Sequence, residues 1–162
     1  TKVASMANNA GLSLEKTAAI LATVKDVTQD SDKTIGTSVK TILSRMSQIK
    51  AGKFVDEETG ESLNDVEKVL NHIGVVTRDT NGQFKEAEEI LDAIGSKWET
   101  LDGNTQKAVA SATAGSYQYN RAISLFDNYS KTLELTEIAE NSSGTAMEKF
   151  TNAPVDLPIQ FS

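Results

Sequence analysis

TIGTSVKTILSRMSQIK (residues 34–50) decides how the rest of this sequence is read. Its apolar residues, Ile35, Val39, Ile42, Leu43, Met46 and Ile49, recur at steps of three and four. That spacing lines one face of a helix and gives the clearest amphipathic stripe in the chain. The same period extends outward in both directions. Upstream, Val3, Met6, Ala7 and Ala10 form a short stripe that Gly11 ends. Ser13 is placed to cap the next helix, which is expected to bury Leu14, Ala18, Leu21 and Val24. The polar run TQDSDK (28–33) separates that helix from the 34–50 stripe.

Downstream, Gly52 stops the stripe, and KFVDEETGES (53–62) reads as a loop whose acids Asp56, Glu57, Glu58 and Glu61 face solvent. Leu63, Val66, Val69, Leu70 and Ile73 resume the helical period, and Gly74 has the identity and place of a helix-terminating residue. VVTRDTNGQFK (75–85) is the single extended-looking piece, with Asn81–Gly82 suited to a very short hairpin. A further helix carries Ile90, Leu91, Ile94, Trp98 and Leu101, and Asp102 or Asn104 can cap the one after it. Gly115 interrupts the pattern. One long helix is then expected through Ile123, Leu125, Phe126, Tyr129, Leu133 and Ile138, broken at Ser142–Ser143–Gly144 before a last stripe of Met147 and Phe150.

The expected fold is therefore all-α, with six to eight short to medium amphipathic helices and one hairpin-like turn at 75–85. Along the chain this divides into an N-terminal helical segment (1–50), an acidic loop (51–61), a helical unit (62–150) and an extended or disordered tail (151–162) foreign to the helical pattern.

Bulk composition narrows the function. The chain has 162 residues, of which 38% are hydrophobic, enough for a modest core. With 23 acidic and 16 basic residues its net charge is −7, which argues against a phosphate-binding surface, so no nucleic-acid site is expected. No stretch is long and apolar enough for a bilayer, and the opening TKVASMANNAG lacks the apolar core of a signal peptide. A start at Thr1 rather than Met is expected of a piece of a longer chain. There is no cysteine and one histidine, His72, so thiolate chemistry and histidine clusters are excluded.

One stretch raises a metal. In TRDTNGQFKEAE (77–88), Asp79, Asn81, Gly82, Phe84 and Glu88 fall at EF-hand positions three, five, six, eight and twelve. Position one, however, is Thr77 and position nine is Lys85. Two carboxylates opposed by an ammonium hold Ca²⁺ poorly, and an Asn–Gly turn anchored by Phe84 explains the same residues, so no metal or cofactor is assigned. No nucleophile elbow, phosphate loop or metalloprotease motif occurs, and no catalytic residue is assigned. The remaining cluster is AGSYQYNRAISLFDNY (114–129), where Tyr117, Tyr119, Arg121 and Tyr129 suit a protein-contact surface. They equally suit core padding with hydroxyls reaching solvent, which is the commoner outcome.

Four separated stretches carry a resemblance: MANNAGLSLEKTAAILATVKDVTQDSDKTIGTSVKTILSRM (6–46), LNHIGVVTRDTNGQFKEAEEILDAIGSKWETL (70–101), TAGSYQYNRAISLFDNY (113–129) and SSGTAMEKF (142–150). In this order they resemble the minor-tail region of bacteriophage tail tape measure proteins; PVDLPIQFS (154–162) departs from the pattern. The resemblance implies a mostly helical, non-enzymatic structural segment that helps to set tail length. Its implied partners are other copies of itself, often three, together with tail tube, tail-tip and tail-assembly chaperone proteins. The implied location is the tail lumen, reached from the host bacterial cytoplasm during assembly and vacated for DNA at ejection. The competing readings are a free-standing helical adaptor using the Tyr117–Tyr129 surface, or a degenerate EF-hand-like calcium module.

Overall fold

The computed structural model describes residues 2–142. The 142–150 stretch beyond its first residue and the 151–162 tail thus lie outside the described residues. The fold is all-α: α1 (Lys2–Ala10), α2 (Leu14–Thr28), α3 (Asp32–Lys50), α4 (Val66–His72), α5 (Ala87–Lys97), α6 (Gly103–Ala114), α7 (Tyr119–Asp127) and α8 (Tyr129–Glu140). A single 3₁₀ turn, Trp98–Thr100, follows α5.

Helix boundaries follow local chemistry. The Ser13 hydroxyl accepts from the Lys16 N–H at 3.1 Å and the Ser31 hydroxyl from the Thr34 N–H at 3.1 Å. Of the two candidates for α6, Asp102 is the cap, accepting from the Thr105 N–H at 2.7 Å. Each supplies an acceptor to a donor that the first turn of a helix leaves unpaired. Gly74 ends α4 with φ 85°, a left-handed conformation that a side chain would strain.

The main core is a contiguous set of buried apolar side chains reaching from Ala7 to Tyr129, and a smaller cluster joins α2 to α8. The stripe of α3 is buried as its spacing predicts: Ile35, Val39, Ile42, Leu43, Met46 and Ile49 are each at most 5% exposed. It packs against α1, α2 and α6. Helix α2 lies at the centre, touching α1, α3, α7 and α8. It is consequently buried nearly all round, through Lys16, Thr17, Ala18, Ala19, Ile20, Ala22, Thr23 and Val24. Leu14, expected to be buried, is exposed, while Lys16 and Thr17 of the same turn are buried, so the first turn of α2 faces its neighbours by another side.

Two further expectations change. The 53–62 loop is pinned by an antiparallel bridge between Val55 and Ser62, and Asp56 within it is buried rather than solvated. The long helix expected through 123–138 is two helices, α7 and α8, that meet at Asn128 (φ −123°, ψ 27°). That bend lets α7 pack on α6 while α8 lies along α2. The hairpin-like turn at 75–85 is present as a lone bridge, Arg78 with Phe84.

Candidate interaction surface

Three polar ties, each with at least one buried partner, hold the helices. In the first, the Lys16 ammonium on α2 donates to Asp92 Oδ1 on α5 at 2.8 Å, and the Tyr129 hydroxyl donates to the same oxygen at 2.5 Å. Burial, aided by the Asp92 hydrogen bond, pushes the Tyr129 hydroxyl far above the ordinary phenol range, so it stays a donor. The Tyr129 ring continues into an aromatic row with Phe126 and Trp98, whose indole N–H donates to Asp127 at 2.6 Å.

The second tie centres on Arg45 of α3. Its guanidinium donates to Asp56 Oδ2 at 2.9 Å and to the Ala112 carbonyl of α6 at 3.3 Å, and Glu61 lies 3.6 Å away. Asp56 also accepts from the Gln48 amide and the Glu58 N–H. Desolvation alone would raise the Asp56 carboxyl, but the Glu58 N–H, Gln48, Arg45 and Thr59 together hold it below the usual value. The third tie is a buried hydroxyl pair, Thr132 donating to Thr23 at 2.7 Å between α8 and α2.

Neither Lys16 nor Asp56 stands out in the sequence as a structural group. For Lys16 a signal exists: Ala19, Ile20 and Thr23 follow at three, four and seven residues, placing the ammonium on a buried face. Arg45 carries a similar signal from Ile42 and Ile49. Asp56 has none, since its burial is set by Arg45 arriving from another element.

The aromatic–arginine cluster is parted by the fold. Tyr117 is 80% exposed on the turn before α7. Tyr119 is half-buried under the Lys107 ammonium, 5.4 Å from its ring centroid. Arg121 is also half-buried and donates to Asp30 at 3.1 Å. Tyr129 is 3% exposed and belongs to the core. Near Tyr117, the Glu61 carboxylate accepts from the Ser116 N–H at 3.4 Å, so the α6–α7 turn and the 53–62 loop share one surface. That loop displays Phe54 (70% exposed) and Val55 (52%).

The 77–88 stretch is a turn. Asp79 accepts from the N–H groups of Asn81 and Gln83 at 2.8 and 3.0 Å, and Phe84 is buried. Glu88, the would-be twelfth ligand, accepts from the Ser13 N–H at 2.9 Å, and Thr77 donates to Glu67 at 2.7 Å. Among the described residues no three His, Asp or Glu side chains gather as a metal site. An open groove of about 770 Å³ between α4 and α6 is lined by Lys68, Val69, His72, Ile73 and Ala108 among others, and its His72 and Lys68 are solvent-facing. No helix among the described residues is long and apolar enough to cross a membrane.

The described residues form an all-helical packing unit in which polar side chains join one helix to the next. The phage-related minor tail protein family model matches residues 1–115, and the chain belongs to that family. This makes it a phage tail component, a structural protein of the virion tail. No solved structure matches it.

Proposed function

We propose that the chain is a segment of a tail tape measure protein, packing within the tail lumen and contributing to tail length without catalysing a reaction. The observation that carries this reading is the family match over residues 1–115, which contains two of the four tape-measure-like stretches; the third, 113–129, begins at its edge. The packing supports it: α2 and α8 meet through Ala18, Ala19, Ala22 and Ala139, small residues that let helices approach closely. The acidic balance, −7 overall, would keep the chain from adhering to DNA that shares its channel.

On this reading, copies of the chain associate with one another and with tail tube and tail-tip proteins. Tyr117, Tyr119 and Arg121 are contact residues at separate points of the surface, while Tyr129 holds the core. The test is cross-linking mass spectrometry on assembled tails of the phage that encodes the chain. Links from Lys33 and Lys50 of α3, both exposed, to tail tube protein, with none to the outer tail surface, are expected. Absence of the chain from purified tails would refute the reading.

A further inference from the structure

The α7–α8 junction is one residue long. Asn128 alone departs from helical geometry, and hydrogen bonding resumes at once, with the Lys131 N–H donating to the Asn128 carbonyl at 3.0 Å. Neither proline nor glycine lies between Tyr119 and Glu140, so nothing in the covalent chain imposes the bend. What holds it are the Asn128 amide, donating to the Ser124 carbonyl at 2.8 Å, and the contacts of α8 itself.

Beyond Tyr129, α8 rests chiefly on α2. Leu135 and Ala139 meet Ala18, Ala19 and Ala22 in a cluster separate from the main core. Thr132 donates to Thr23, and the Lys131 ammonium bonds Asp26. Straightening at Asn128 would fuse α7 and α8 into one helix of about 33 Å, at about 1.5 Å per residue. It would also leave the alanine face of α2 open and withdraw Tyr129 from Asp92. An opened single copy would therefore expose both halves of a matched surface. A second copy opened in the same way restores every lost contact, between chains instead of within one. Short hinges favour this kind of exchange, because the interface is already complementary.

We infer that α8 is an exchangeable arm, and that the partner it fits is the α2 face of a second copy of this chain, reached by straightening the helix at Asn128. The inference stands on this junction and does not depend on the tape measure reading.

The chain has no cysteine, so an engineered thiol pair reports cleanly. Thr23→Cys/Thr132→Cys replaces hydroxyls 2.7 Å apart, within reach of a disulfide. Oxidised when dilute, this variant is expected to link within one chain and to stay monomeric when concentrated. Concentrated under reducing conditions and then oxidised, it is expected to give covalent dimers. Adding Asn128→Ala should raise the dimer yield at least about threefold, the ratio implied by the helix propensities of the two residues. Dimerisation of the internally locked protein, or linkage that stays within one chain at every concentration, would overturn the inference. Hydrogen exchange on the unaltered chain gives an independent check. Amides of Thr132–Ala139 should exchange as a group about tenfold or more faster than those of Val39–Ile49. Equal protection of the two segments would count against an exchangeable arm.

Discussion

Arg45 and Asp56 form a buried ion pair on which stability depends. Both are almost fully buried, and each satisfies the other's charge. Asp56→Ala would leave the buried guanidinium with only the more distant Glu61 as counter-ion, and removal of one partner from such a pair costs about 3–5 kcal/mol, toward the lower end here. Urea denaturation should show that loss as a lower midpoint with an unchanged slope. A pH dependence follows from the same carboxylate. Its folded value lies below 3.8, so as acid is added the unfolded chain takes up the proton first. The stabilisation is complete above about pH 5, a unit above the unfolded carboxylate value, and is lost as pH falls through the folded value. Asp56→Asn should thus show a shallower acid limb than the unaltered chain. An identical limb would mean that the carboxylate is not held in its charged form by this network.

At the scale of single elements, two glycines within helices make opposite forecasts. A Cβ on Gly36 of α3 would meet nothing within 4 Å. Gly36→Ala should therefore stabilise by about 0.5–1 kcal/mol, the difference in helix propensity. On Gly95 of α5 a Cβ would lie 2.3 Å from the Tyr129 ring, which Asp92 and Phe126 hold in place. There the same change should destabilise by about 1–3 kcal/mol, as over-packing does. Thermal melts of the two variants check the pair, and a rise in both would show that Tyr129 can move aside. The contrast also marks what the sequence reveals. The α3 stripe, the Ser13 cap, the Gly74 stop and the Asn81–Gly82 turn depend on neighbours within a few residues, and all four were legible. The bend at Asn128 was not, because residues 119–140 are periodic throughout and the bend is set by α2 lying to one side. Burial of Asp56 was hidden for a similar reason, its partner arriving from another helix. Leu14 misled because its apolar spacing marks one face, whereas the first turn of α2 is buried on the side of Lys16 and Thr17.

Over the whole molecule, the Tyr117 surface and the α8 arm make separate forecasts. Tyr117 is exposed and makes no core contact that its loss would disturb. Tyr117→Ala should weaken association with tail proteins while leaving the melting temperature within about 1 °C, the behaviour of a surface substitution. A large fall in melting temperature would reassign the residue to packing. The four candidate contact residues illustrate how far a linear reading reaches for a site. Their proximity along the chain was correct, but a helix turn and a one-residue bend send Tyr117 outward and Tyr129 inward.

The proposal that this chain contributes to tail length by packing inside the tail is tested most directly by electron microscopy of tails from phage carrying graded in-frame deletions within residues 14–140. The account predicts tails that shorten in step with the deletion, approaching about 1.5 Å per residue for helix laid along the axis. Assembled tails of unchanged length across the series would contradict it.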